Sequence, residues 1–292
     1  MDFTRDLTEL SDDQADLLER LLDQVVREQA SDAPPAGGPS TPPRAVCIQA
    51  GAGLGPLFLV HGSGGQVMFL HAVARRLAPA QPLYGIDAGG SWAVDAGAMV
   101  LCPAYLAALR SVQPKGPYRL GAYSAGCLIV FEMAARLEAE GERVETLLLI
   151  DPIAPPDRRV VAPATPNAST PALTAHERLR RRFEMALLAG VTPLSSQFGQ
   201  IEQVNRMLAR LASRFDPRPL DLPIRILHGL RGAYVSSPQT LDGWATLALR
   251  GLEHVAVDAD HFELVREPHV AATGRQIQAW LDALPPPDPA GA

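Results

Sequence analysis

From residue 44 onward the chain alternates between two kinds of apolar pattern. Short runs with few polar interruptions read as strands: "AVCIQ", "PLFLVH", "PLYGI", "YRLGAY", "TLLLID", "IRILHG" and "VAVDA". Between several of them lie stretches with apolar residues at helical spacing: "VMFLHAVARRLA", "YLAALRSV" and "CLIVFEMAARLEAE". A strand apolar on both sides must be covered on both sides. The alternation therefore predicts an α/β fold, a mostly parallel sheet with helices on both faces.

The alternation breaks after Asp151. About seventy residues separate it from "IRILHG", far beyond an ordinary connection. The segment opens on proline-rich "PIAPPDRRVVAPATP" and continues with two helical candidates, "TAHERLRRRFEMALLAG" and "QIEQVNRMLARLASRF". An insertion at the active edge of a sheet reads as a helical lid, over about 153–220. Upstream, residues 7 to 30 read as an amphipathic helix. Ser11 and Gln14 fit a capping box, and Leu18, Leu21, Leu22, Val25 and Val26 recur at helical spacing. Such a face either packs on the domain or docks a partner. "SDAPPAGGPSTPP" then reads as a linker. The expected organisation is a helix over 1–30, a linker over 31–43, the main domain over 44–282 and a disordered tail over 283–292.

Composition narrows the function. The net charge of −6 gives no electrostatic case for nucleic acid or an anionic membrane surface. The three cysteines, Cys47, Cys102 and Cys127, fit neither a disulfide framework nor a zinc pattern, which points to a reducing cytoplasm. The acidic start "MDFTRDLTELSDD" has no apolar core of a signal peptide, and no apolar stretch is long enough to span a bilayer.

Chemistry gathers around "YRLGAYSAGCLIVFEMAARLEAEGERVETLLLID". A serine between a strand and a helix, flanked by small residues, has the form of a nucleophile elbow, G-x-S-x-G. Here the five residues are Ala122-Tyr-Ser124-Ala-Gly126. A serine at the start of a helix meets free amides and the positive end of the helix dipole. It also needs a base, and the base an orienting acid. His261 follows "VAVDAD", placing it in a loop at the carboxyl end of the last strand, where open α/β sheets form their sites. His61 reads as a shaper of its loop and His228 as a buried strand-end ring. His71, His176 and His269 fall in helical or helix-start settings, and His254 at the start of a strand. Asp151 ends the strand after the elbow helix, and Pro152 stops that strand there. The loop after "IRILHG" has no acid before Asp242, while Asp258 and Asp260 lie too near His261 in sequence to orient its ring. The oxyanion hole then needs two amides: Ala125 supplies one, and Ser63 of "HGSGG" the other. That loop lacks the lysine and spacing of a phosphate cradle.

With these residues in place, the chain resembles the thioesterase domains of non-ribosomal peptide and polyketide synthases, within the α/β-hydrolase fold. The resemblance spans about 44–282. It rests on "PLFLVHGSGG", "GPYRLGAYSAG...FEMAARLEAEGERVETLLLIDP" and "DHFELVREPHV". It implies a triad of Ser124, Asp151 and His261, with oxyanion amides at Ser63 and Ala125. Ala122 and Cys127 depart from it, standing where glycine is common. It also implies an acyl chain presented as a thioester on the 4'-phosphopantetheine of a carrier protein or upstream synthase module, with no cofactor bound by the chain itself. Hydrolysis, cyclisation, transfer to an external alcohol or amine, general esterase activity and non-catalytic carrier binding stay open at this point.

Overall fold

In a computed structural model of the chain the apolar runs form one seven-stranded sheet. The structure describes residues 10–31, 41–89, 98–155, 174–189, 204, 208, 210–212, 215–231 and 238–285. The strands are β1 (Arg44–Gln49), β2 (Leu57–Val60), β3 (Leu83–Asp87), β4 (Tyr118–Tyr123), β5 (Val144–Ile150), β6 (Ile224–Gly229) and β7 (Leu252–Val257). Their spatial order is β1-β3-β2-β4-β5-β6-β7. Only β1 runs antiparallel to its neighbour. The helices are α1 (Asp12–Ser31), α2 (Leu70–Ala74), α3 (Ala98–Arg110), α4 (Gly126–Ala139), α5 (Ala175–Ala189), α6 (Pro238–Ala245) and α7 (Val270–Asp282).

Period-two alternation divides the strand side chains between two cores. Phe58, Val60, Ile86, Leu120, Ala122, Leu147, Leu149 and Ile226 point to one face, which α3, α4 and α6 cover with Tyr105, Leu109, Phe131, Met133 and Trp244. Leu57, Leu59, Leu83, Tyr123, Leu148, Ile150 and Leu227 point to the other, covered by α2 and α7 through Leu70, Val73, Val270, Ile277 and Trp280. Each fully buried side chain of this kind contributes roughly 1.5–3 kcal/mol. β4 is buried along its whole length, as the unbroken apolar run required.

Departures from the sequence reading have local causes. The helix expected over "VMFLHAVARRLA" shortens to α2. Past Ala74 the amides of Arg76 and Leu77 bond back three residues, tightening the chain ahead of Pro79. β7 starts at Leu252, ahead of "VAVDA", and ends inside that run at Val257. It is an edge strand with Glu253 and His254 exposed, so a search for unbroken apolar runs misses its start. Helices α6 and α7 are further elements that no apolar run announced.

Helix α1 begins at Asp12 because its capping box closes there. Gln14 N–H donates to Ser11 Oγ (3.3 Å), and Ser11 N–H to Gln14 Oε1 (2.8 Å). Ala15 and Leu22 pack on Ala175 and Leu179 of α5. At the borders of the expected 31–43 linker, α1 runs to Ser31 and Pro43 is buried, while 32–40 lie outside the described residues. The tail from 286 and much of the expected lid lie outside them as well. Within the lid span α5 is present, and positions 204, 208 and 210–212 are helical, with Val204, Leu208 and Leu211 buried on the α3–α4 side. No described helix is long and apolar enough to cross a membrane.

Candidate active site

Ser124 is the first residue past β4. Its N–H continues the ladder to Ile150 O (2.8 Å), while its carbonyl already accepts from Cys127 N–H (3.1 Å) at the head of α4. Strand becomes helix within about one residue, and Ser124 takes a φ of 58° to do it. That left-handed backbone costs a non-glycine residue roughly 1 kcal/mol. The turn also needs Gly126. A Cβ there would lie 1.9 Å from the carbonyl oxygen of His61, so the elbow and the loop after β2 touch through backbone. Ala122 and Cys127, the two departures from the usual glycines, are both fully buried. Burial pushes the Cys127 thiol well up, which leaves it a packing group.

Asp151 is the first residue past β5, the neighbour of β4, and has a φ of 44°. Ser124 and Asp151 are the two non-glycine residues with positive φ among the described residues. Asp151 Oδ1 accepts Gly229 N–H (3.1 Å), and Oδ2 lies 2.5 Å from His261 Nδ1. A carboxylate acceptor puts the proton on Nδ1 and makes Nε2 the basic nitrogen.

His261 reaches Asp151 by crossing the end of β6. Leu230 and Arg231 N–H donate to Val257 O and Ala259 O, fastening the two strand ends together. Gly229 makes room: a Cβ there would sit 2.6 Å from Ala259 O. Once across, the ring stacks on Tyr123 (centroids 4.8 Å apart, 22° between planes) and meets Phe262 edge-on. Tyr123 Oη donates to His261 O (2.8 Å), so one tyrosine holds both ring and backbone. The rival acids are otherwise engaged. Asp258 pairs with Arg231, and Asp260 accepts from Phe262 and Glu263 N–H and pairs with Arg180. His228 is buried, 3.3 Å from His254, and takes no part in the row.

Ser124, Asp151 and His261 are thus buried at one sheet edge, with Asp151 and His261 joined. Among the described residues no hydrogen bond links Ser124 Oγ to the ring. Such bonds are commonly long until substrate is bound. Ala125 follows Ser124 in the elbow and caps α4, and Ser63 follows Gly62 in the loop after β2. Neither N–H has a hydrogen-bond acceptor among the described residues. Gly62 packs so tightly on Tyr123 that a Cβ would lie 2.7 Å from its ring. Tyr123 and Gly229 are the two members of the site that sequence reasoning missed. An aromatic residue beside the elbow serine and a glycine closing an apolar strand were the available signals.

The Thioesterase domain family matches residues 55–281. The non-reducing polyketide synthase atnG of an Arthrinium species is 28% identical over 258 residues, which cover 77% of this chain and 12% of that protein. Malpinin synthetase of Mortierella alpina is 40% identical over 113 residues, 37% of this chain and 1% of that protein. The chain thus spans a small part of the synthases it matches. Among solved structures, the NocB thioesterase domain superposes with a TM-score of 0.63 at 24% identity, covering 82% of this chain and 99% of that one. The surfactin thioesterase domain superposes at 0.61 and 16% identity, over 82% and 96%. These likenesses carry the α/β-hydrolase fold. The match over most of the sheet and its crossing loops makes this chain a member of the thioesterase domain family.

Proposed function

We propose that the chain releases an acyl, peptidyl or polyketide group from the phosphopantetheine arm of a carrier protein, through an acyl-Ser124 intermediate. The observation that carries this is the Asp151–His261 pair at 2.5 Å, beside a serine held on a strained elbow. His261 Nε2 takes the Ser124 proton as Oγ attacks the thioester carbonyl. Asp151 keeps the ring in the Nδ1–H tautomer and favours the imidazolium that forms. The N–H groups of Ser63 and Ala125 receive the oxyanion. Collapse breaks the C–S bond, and the imidazolium returns its proton to the departing thiolate. Water, or a hydroxyl or amine of the acyl chain itself, then attacks the acyl-serine with His261 again as base. The product is an acid, or a lactone or lactam. Membership of a thioesterase family found in polyketide and peptide synthases supports the carrier-bound substrate, with the synthase as partner.

The test is intact-mass analysis after exposure to an acyl-pantetheine thioester. The expected result is one acyl group on the native protein and none on Ser124→Ala, with kcat lowered on the order of 10⁴-fold or more. Turnover by Ser124→Ala at the native rate would overturn the reading. Scoring acid against cyclic product separates hydrolysis from ring closure.

A further inference from the structure

His61 is fully buried, and both of its ring nitrogens are engaged. Nδ1 lies 2.6 Å from the carbonyl oxygen of Gly62, and Nε2 lies 2.6 Å from the hydroxyl of Tyr105 on α3. A carbonyl oxygen only accepts, so Nδ1 carries the proton. Burial lowers the ring's pKa, which keeps it neutral. A neutral ring with Nδ1 protonated has a bare Nε2, so the Tyr105 hydroxyl donates to it. The direction of the chain of bonds follows: Tyr105 O–H to His61 Nε2, then His61 Nδ1–H to Gly62 O.

The same Gly62 oxygen accepts Gly65 N–H (3.0 Å), closing a tight turn with Ser63 and Gly64 at its centre. Two donors therefore hold this one oxygen. The Gly62–Ser63 peptide is planar and trans, so its N–H is directed opposite to its C=O. Fixing the oxygen fixes the direction of Ser63 N–H. The loop cannot slide to compensate, since His61 O abuts Gly126 and Gly62 abuts Tyr123.

We infer that His61 and Tyr105 are positioning residues for the oxyanion hole: the tyrosine hydroxyl anchors the imidazole at Nε2, and the imidazole holds the Gly62–Ser63 peptide through Nδ1–H with its N–H aimed at the acyl carbonyl. This rests on Ser63 and Ala125 being the oxyanion donors proposed above. The bonds serve the transition state, because a misaimed N–H weakens only the charge that develops there.

The experiment compares Tyr105→Phe, His61→Asn and His61→Gln on an acyl-pantetheine thioester. The asparagine amide nitrogen reaches the place of Nδ1; that of glutamine reaches the place of Nε2. Tyr105→Phe lowers kcat about tenfold and His61→Gln about a hundredfold, with KM changed less than about twofold. His61→Asn recovers to within about tenfold of the native rate. A long-range ¹H–¹⁵N spectrum of the native protein shows His61 protonated at Nδ1, and Tyr105→Phe keeps that tautomer while shifting the Nε2 resonance, which loses its donor. Native kcat in folded Tyr105→Phe and His61→Gln, equal losses in His61→Asn and His61→Gln, or an Nε2–H tautomer in the native protein would each overturn the inference. Fluorophosphonate labelling of native Ser124 is the separate control. Its failure sinks the acyl-serine reading itself, whereas labelling with unperturbed variants sinks the positioning role alone. Should His61→Gln not fold, Tyr105→Phe, which removes one atom, and the tautomer spectrum carry the test.

Discussion

The sheet edge around Ser124 and the helical layer of α1 on α5 are held together by different physics. At the sheet edge the side chains are buried, the bonds are short, and segments touch backbone to backbone. Gly126 against His61 O and Gly229 against Ala259 O leave no room for a methyl group. In the helical layer a small apolar seam is flanked by ion pairs: Arg178 with Asp16 and Glu19, and Arg182 with Asp23. Arg178 and Asp16 are well exposed, and Leu17 and Leu21 of α1 stay half in solvent. Exposed pairs of this kind contribute little and are screened by salt. Strain can be stored only where the surroundings over-determine the backbone, and both left-handed non-glycine residues among the described residues lie at the sheet edge. The two regions are nevertheless joined. From successive turns of α5, Arg180 pairs with Asp260 (2.6 Å) and Glu184 with Arg266, bracketing His261 in the chain.

Gly126 is where a single methyl group should matter most. Gly126→Ala places a methyl against backbone that cannot yield, and is expected to cost about 3 kcal/mol in urea unfolding together with most of the activity. A native midpoint would show that the elbow contact is soft. Next, Ser124→Gly removes the proposed nucleophile and its backbone strain together. It should abolish turnover while raising stability by up to about 1 kcal/mol, read as a shift in the thermal midpoint. A lower midpoint would mean that the serine is not strained. The smallest effect belongs to the helical layer. Arg178→Ala is expected to cost about 0.5 kcal/mol or less, leave small-thioester kcat within about twofold, and speed proteolysis near α5. About 0.5 M salt should mimic it in the native protein. A large loss of kcat in Arg178→Ala would show that the α5 bridges to the His261 loop carry the ion pairs of α1 into the site.

Much of this was legible in the chain itself. The elbow is local, so its small residues and flanking periodicities reported it directly. Asp151 could be read from a strand that stops on an acid followed by proline. The capping box of α1 is likewise a four-residue matter and sits where its residues put it. The short α2 and the early start of β7 were not legible. The first depends on which amides find partners ahead of a proline, the second on β7 being an edge strand with half its residues in water. The stacking of Tyr123 on His261 was invisible too, because nothing in "AYSAG" says what lies above the tyrosine ring.

The layered α/β class, the corner at Ser124 and the sheet edge that carries the candidate site follow from the order of residues alone. Those depend on period, on turn sterics and on chain order, all of which act over a few residues. It took long-range packing to bring His261 across β6 to Asp151, to set Tyr123 against it, and to turn His61 toward Tyr105 and not solvent. Those contacts join residues 44 to 138 positions apart. Their geometry is set by how strands twist and loops pass over one another, which no local pattern encodes.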